Sequence, residues 1–190
     1  MPEMVFEYVL KDKGIDPTRI LKSTRASTSV PLPLHFLAAR VDYTIEFEPS
    51  ATALEEEGAG YVVASVGTES GYVPYTSYSA KESYIEENPE VIQKFTNALQ
   101  RGMEYVQTHT PEEIAKVIAP QFEETKLETI TTIVNRYYEQ DTWKSNLIFE
   151  QDSFDLLQNI LESAGELKER APYDELVTTE FAEKAAKAQD

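Results

Sequence analysis

Few residues of this chain could perform catalysis. The sequence has no cysteine, and its two histidines, His35 and His109, lack the spacing of a zinc site. It contains no glycine-rich phosphate loop and no nucleophile elbow. We expect His109 to be a solvated loop residue, because it directly precedes a helix start. The chain is therefore predicted to have no catalytic residue, no metal site and no cofactor.

Aromatic side chains are the better candidates for contacting a ligand. Tyr72, Tyr75 and Tyr78 fall at every third position of one segment. In an extended chain this spacing divides them between two faces. Either two of them pack in the core and one is partly exposed, or they form a ligand wall of rings with hydroxyl groups. Trp143 follows a helix and is open to the same two interpretations.

Glu48 is the strongest polar candidate, because it directly follows a predicted strand. The carboxyl ends of parallel strands are where open α/β sheets bind ligands. The alternative is an acid at a helix N-terminus, stabilised by the helix dipole. The run Glu55 to Glu57 adjoins a helix end, and we expect these three carboxylates to be solvated.

The elements that would position these residues follow from periodicity. Apolar residues alternate over Val41 to Phe47, run without interruption over Tyr61 to Val66, and return over Tyr72 to Ser79, which predicts three strands. A helix is predicted near Pro2 to Lys13, and a short one between Pro49 and Gly58. From Asn88 onward the period is helical, with Asn88 as a cap and Pro89 at the first helical position. The pattern predicts an α/β fold with a helical C-terminal half.

The charge restricts the partners. With 17 Lys and Arg against 34 Asp and Glu, the formal net charge of the 190 residues is −17. This balance argues against binding DNA or RNA through phosphates and against an anionic membrane surface. No stretch approaches the roughly 20 apolar residues of a membrane span, so no direct membrane insertion is expected.

The stretch from Thr18 to Arg40 differs from the rest in composition. It contains five basic residues and no acid, and Pro31 and Pro33 interrupt any regular element. A one-base shift of the reading frame over Arg19 to Arg40 would convert it into an acidic strand, a turn and an alanine-rich helix. We hypothesise a compensated frameshift here. Codons incompatible with such a shift in the coding DNA would contradict it.

The remaining segments resemble a known family in order along the chain. They are Met1–Met4 with Phe6–Leu10, Gly14–Pro17, Asp42–Pro49, Glu57–Ser65, Val73–Thr76, Lys81–Pro89, Phe95–Ala98, Ala164–Leu167 and Pro172–Val177. In this series the chain resembles ABC-transporter solute-binding proteins of the nitrate, sulfonate, taurine and thiamine-precursor type. The resemblance implies an incomplete type II periplasmic-binding-protein fold, in which two α/β lobes close on a small solute. It also implies docking on a membrane permease and no catalysis.

The resemblance also predicts how the chain divides. Residues 1–47 would be a remnant of lobe two, with an atypical segment at 18–40, and residues 48–190 the later part of lobe one with the C-terminal helices. Glu48, Tyr72, Tyr75 and Trp143 are the predicted ligand-binding residues. Family members extend further on the N-terminal side, so we expect a C-terminal fragment whose ability to bind a solute is in question. The family acts outside the cytoplasm, whereas this chain shows no export signal and is expected to remain cytoplasmic.

Two other functions stay open at this point. A thiamine-pyrimidine precursor synthase can share the fold, but it would need the nucleophile or metal ligands that this sequence lacks. An acidic helical interaction module could be built from residues 88–190, and a truncation at Asn88 that folds cooperatively would favour it.

Overall fold

The described part of the chain forms helices. The computed structural model describes residues 2–20 and 42–187, so His35 and most of the unusual basic stretch lie outside the described residues. The helices in these ranges are α1 (Pro2–Asp12), α2 (Pro17–Ile20), α3 (Ser50–Glu56), α4 (Val66–Ser70), α5 (Glu82–Glu87), α6 (Pro89–Thr108), α7 (Pro111–Ile118), α8 (Leu127–Glu139), α9 (Gln151–Ser163), α10 (Tyr173–Leu176) and α11 (Glu180–Lys187). A 3₁₀ turn, Ala119–Gln121, follows α7.

The strand predictions are wrong for the part of the chain that the structure describes. Residues 42–47, 60–65 and 72–80 contain no strand, although their apolar patterns predict three. The predicted α/β class is therefore not what these ranges form. A strand exists only where a second strand accepts and donates its hydrogen bonds, and the described residues supply none.

The chain divides into two compact units. The first comprises Met1–Ser70 and Pro111–Gln140. In it, α1 packs on α4, α7 packs on α8, and α3 packs on α8. These contacts bury a small apolar core that consists of Val9, Leu54, Ile114, Ala115, Ile130 and Val134.

The second unit comprises Gly71–Thr110 and Asp141–Asp190. Here the long helix α6 packs on α11, and α5 contacts the start of α6. The Phe154 ring meets Phe149 and Tyr173 edge-on, with ring centroids 5.9 and 5.6 Å away. The buried apolar residues of this unit are Phe154, Ile160, Phe181, Ala182 and Ala185.

The ends of several helices follow from glycine and proline. Gly14, Gly58 and Gly165 end α1, α3 and α9 in the left-handed region, with φ of 72°, 68° and 76°. Pro89 occupies the first turn of α6 as predicted. Asn88 occupies the N-cap position of α6 as predicted, but its side chain makes no capping bond, and its side-chain amide donates to the Tyr84 carbonyl at 3.1 Å instead.

The apolar stripe of α6 is only partly covered. Val91 and Phe95, whose spacing places them on this stripe, are 51% and 45% exposed. Gln100 is buried instead, and its amide donates to the Ser145 carbonyl at 3.1 Å. The second unit therefore leaves part of this helix face exposed.

Candidate functional site

An arginine on α8 is the centre of the best-formed polar cluster in the first unit. Arg136 Nη1 donates to Glu48 Oε1 at 3.1 Å and to Thr52 Oγ1 at 2.8 Å. Its Nη2 pairs with Glu55 Oε2. Because Glu48, Thr52 and Glu55 recur at intervals of four and three residues, they line one side of α3 and its N-terminal extension. Helix α8 thus presents one cation to three oxygen-bearing side chains.

Burial and hydrogen bonding set the charges of this cluster. The side chains of Arg136, Glu48 and Glu55 are 21%, 9% and 28% exposed. A hydrogen bond from the Val62 amide, together with the Arg136 guanidinium, holds the pKa of Glu55 below its ordinary value. For Arg136, burial opposes the charged form, but the bonds to Glu55 and Glu48 outweigh it and raise the pKa. Arg136 and Glu55 therefore form an ion pair at neutral pH.

Glu48 has a structural role in this arrangement. Its Oε2 accepts a hydrogen bond from the Thr52 amide at 3.0 Å, in the first turn of α3. A carboxylate at this position satisfies an unpaired helix N–H and interacts favourably with the helix dipole. Both Glu48 oxygens thus have protein partners, which agrees with the helix-stabilising interpretation. Its role as a solute ligand stays a prediction.

Two members of the cluster were missed from sequence. The apolar residues of α8 indicate the helix, but their spacing gives no signal for Arg136. The expectation that Glu55 is solvated is wrong, since it binds Arg136 and accepts from the Val62 amide at 2.8 Å. The neighbouring Glu56 also accepts a bond, from the Thr129 hydroxyl at 2.6 Å. The spacing of Glu48, Thr52 and Glu55 was the available signal.

Three predicted ligand residues belong to the second unit. The Tyr72 hydroxyl donates to the Asp141 carboxylate, which brings Tyr72 to the loop that contains Trp143. Trp143 is half-buried, and its carbonyl accepts from Gln107 Nε2 at 2.9 Å. Tyr75 is 74% exposed. The structure therefore brings Tyr72 and the Trp143 loop together, while Glu48 is part of the first unit.

The tyrosine triplet is more exposed than predicted. Tyr72, Tyr75 and Tyr78 are 63%, 74% and 77% exposed, so the interpretation in which two of them pack in the core is wrong. Tyr78 contacts Phe95 of α6 edge-on, with ring centroids 5.0 Å apart. The segment forms no strand, and the rings therefore have no sheet neighbours to pack against.

An open groove of about 690 Å³ lies beside α5, α6, α10 and α11 in the second unit. Six carboxylates line it, and its one lysine, Lys184, pairs with one of them, Glu180. The six are Glu82, Glu86, Glu90, Asp174, Glu175 and Glu180. Such a field repels anions, so a sulfonate or nitrate would not be held there. None of the four predicted ligand residues lines this groove.

The described ranges contain no group of three or more His, Cys, Asp or Glu side chains placed to hold a metal ion. Within the same ranges, no helix has the length and apolar character needed to cross a membrane.

Comparison with known proteins identifies the family. The model of the NMT1-like family matches residues 1–119, which is more than half of the 190-residue chain. The chain therefore belongs to the NMT1-like family. A relative in Bacillus subtilis (strain 168), named "Putative binding protein YtlA", is 36% identical over 184 residues. No solved structure was found to match the chain.

The match to the relative is unequal in coverage. It includes 97% of this chain but 55% of the relative, so the chain spans about half the length of the protein it matches. The name of the relative describes it as a putative binding protein. Family membership also supports an incomplete periplasmic-binding-protein fold.

Proposed function

We propose that this chain is part of the substrate-binding component of an ABC importer for a small organic or anionic solute. Sulfonates, nitrate, taurine and thiamine precursors are the solute classes in this proposal. A membrane permease is the proposed protein partner. The observation that carries the proposal is family membership combined with 36% identity to a protein named as a binding protein.

The second unit supplies the proposed solute contacts. Tyr72 and Tyr75 are exposed rings with hydroxyl groups, and Tyr72 is held through Asp141 to the loop of the half-buried Trp143. Amphipathic rings on a fixed loop can enclose a small solute and donate hydrogen bonds to it. Small-molecule sites bury most of the ligand surface, so one such wall binds weakly by itself.

Binding accounts for the structure better than the other two functions. The synthase interpretation needs a nucleophile or a group of metal ligands. Among the described residues, no three or more His, Cys, Asp or Glu side chains are placed to hold a metal ion. The helical-module interpretation needs residues 88–190 to fold together. However, residues 111–140 group with the N-terminal residues in the first unit.

Thermal-shift screening tests the proposal. The chain would be compared with a long form, in which it is joined to the part of the Bacillus subtilis relative that it leaves unmatched. Sulfonates, nitrate, taurine and aminopyrimidines are the probes. We expect concentration-dependent shifts for the long form and small or no shifts for the chain alone, because bound ligand stabilises the folded state.

Substitutions in the long form locate the site. Tyr72→Ala, Tyr75→Ala and Trp143→Ala should reduce the shift, whereas the matched control Tyr84→Ala on α5 should leave it unchanged. Absence of a shift for every probe with both forms would contradict the proposed solute classes. Equal loss with Tyr84→Ala would contradict the proposed site.

A further inference from the structure

Two glutamines on α6 bind the loop that contains Trp143. Gln107 Nε2 donates to the Trp143 carbonyl at 2.9 Å and to the Lys144 carbonyl at 3.4 Å. Gln100 Nε2 donates to the Ser145 carbonyl at 3.1 Å. Because positions 100 and 107 are about two helical turns apart, both side chains project from the same side of α6. All of these residues belong to the second unit.

Residues 141–150, which we refer to as the Trp143 loop, form neither a helix nor a strand. No repeating backbone pattern therefore satisfies the carbonyls of this loop. Side-chain amides do so for three consecutive carbonyls, those of residues 143–145. The donors lie 36 and 45 residues away in sequence from the carbonyls they bind. A helix that is distant in sequence thus holds the middle of the loop.

Other bonds shape the loop or attach its ends. Within it, Lys144 Nζ donates to the Ile148 carbonyl at 2.8 Å, and the Ile148 amide donates to Asn146 Oδ1 at 2.9 Å. Near its end, the Tyr173 hydroxyl donates to the Phe149 carbonyl. Bonds within a loop fix its local shape but not its place on the molecule. The two glutamines do the latter at Trp143 itself.

The Trp143 loop also positions the tyrosine side of the proposed solute contacts. Asp141 begins the loop and accepts the hydrogen bond from the Tyr72 hydroxyl. The backbone of Asp141 is in the left-handed region, with φ of 53°. A residue other than glycine keeps this conformation where surrounding contacts hold it. The placement of Tyr72 and of the Trp143 ring therefore follows from the path of one loop.

We infer that Gln107 and Gln100 are positioning residues for the proposed solute site. Their amides hold the loop carbonyls, and the loop holds the Trp143 ring and, through Asp141, the Tyr72 hydroxyl. Contacts that are held before binding lose less conformational freedom when a solute binds, which raises the affinity. The glutamines thus act through the loop and without touching the solute. This inference rests on the proposed function and adds the residues that fix the geometry of its site.

Intrinsic fluorescence tests the first step without any solute. Trp143 is the single tryptophan of the 190-residue chain, so the tryptophan emission reports on this loop alone. Gln107→Met keeps the length of the side chain but removes the amide donor. We expect emission at longer wavelength and stronger quenching by acrylamide, because the released indole ring is more exposed to water. The circular dichroism spectrum should be unchanged, since Gln107 is exposed.

Three further variants separate positioning from a general loss of structure. Gln107→Lys restores a donor on a long side chain and should return the emission and the quenching toward those of the unsubstituted chain. Gln100→Met removes the second donor and should change both in the same direction as Gln107→Met. The matched control is Gln121→Met, the same substitution at an exposed glutamine of the first unit, and it should change neither.

The solute step uses the long form described above. Its probe is the sulfonate, nitrate, taurine or aminopyrimidine that shifts the melting temperature of the unsubstituted long form. Gln107→Met should weaken binding of that probe by about two- to tenfold, the range expected for loss of one neutral hydrogen bond. Methionine is uncharged, as glutamine is, so attraction or repulsion of a charged probe is unaltered. Isothermal titration calorimetry measures the change, and Gln121→Met should bind as the unsubstituted long form does.

Unchanged emission and quenching in Gln107→Met would overturn the inference, since the loop would then be held without this amide. Equal changes in Gln121→Met would overturn it as well. Altered fluorescence with unchanged probe affinity would contradict a role in solute binding. If no probe binds the unsubstituted long form, the proposed function fails, whereas the fluorescence comparison still decides whether the glutamines hold the loop.

Discussion

Helices α6 and α9 and the segments at 60–65 and 72–80 have equally clear apolar patterns, but only the helices form as predicted. Helix α9 buries Phe154 and Ile160, at 8% and 0% exposure. In the non-helical segments, Tyr61 and Tyr78 are 89% and 77% exposed. Both regions are rich in apolar residues, so apolar content does not explain the difference. The regions differ instead in where their backbone groups find hydrogen-bond partners.

A helix satisfies its backbone groups within its own segment, so its pattern is sufficient to predict it. A strand needs a neighbour that can lie anywhere in the sequence or on another polypeptide. The comparison teaches that an apolar pattern is enough to predict a helix but not a strand, because the partner of a strand must come from another segment. Four predictions sharpen or break this comparison.

The largest expected effect compares two apolar truncations, one in each region. Ile160→Ala removes a fully buried side chain and should lower the free energy of unfolding by about 2 to 5 kcal/mol. Val63→Ala in the chain alone should change it by less than about 0.5 kcal/mol, because Val63 is 75% exposed. Urea denaturation followed by circular dichroism measures both. Similar losses of unfolding free energy for the two variants would show that Val63 is packed in solution.

Removal of Arg136 should have the next largest effect. Arg136→Ala leaves Glu48 and Glu55 without their cation and should destabilise the chain by about 2 kcal/mol, a value reduced for partial exposure of the pair. Arg170→Ala is the matched control. It removes an arginine whose ion pair with Glu162 is over 40% exposed, so it should destabilise the chain clearly less than Arg136→Ala does. Equal costs in urea denaturation would contradict the role of Arg136 in holding α3 to α8.

Glu55 should give a smaller, pH-dependent effect. Because its pKa is lowered on folding, its ionised form stabilises the folded state above the ordinary pKa near 4.5. This contribution is lost as the pH falls through the lowered folded value. Glu55→Gln should therefore lower the free energy of unfolding at pH 7. The difference between the variant and the unsubstituted chain should disappear in acid. Unfolding measured from pH 7 to 3 should show the two curves converging, and curves that stay parallel would be inconsistent with this account.

The smallest effect concerns the Tyr72 hydroxyl. Its hydrogen bond to the Asp141 carboxylate, and the charge of that carboxylate, raise the pKa of Tyr72. The bond favours the protonated phenol, so its contribution is present below the ordinary pKa and lost as the pH rises through the raised value. Tyrosinate absorbance at 295 nm, compared between the chain and Tyr72→Phe, isolates this group. Asp141→Asn should move its titration to lower pH, and an unchanged titration would argue against the bond in solution.

Local signals predicted the helices well and the site poorly. Pro89 marks a helix start that the structure confirms, because proline acts through its own backbone dihedral. The sequence singles out Glu48 as a candidate ligand residue, and the structure places it beside Arg136. Its partner Arg136, however, lies 88 residues away in sequence. No local rule predicts such a pair, and none predicts strands whose partners are elsewhere.

The central claim is that the amides of Tyr61, Val63 and Ala64 have no hydrogen-bond partner within residues 2–20 and 42–187, so that their apolar pattern alone does not make a strand. Amide hydrogen exchange read by mass spectrometry or NMR tests it most directly. These three amides should exchange without protection, while those in the middle of α9 are protected. Protection of the three amides would contradict the claim.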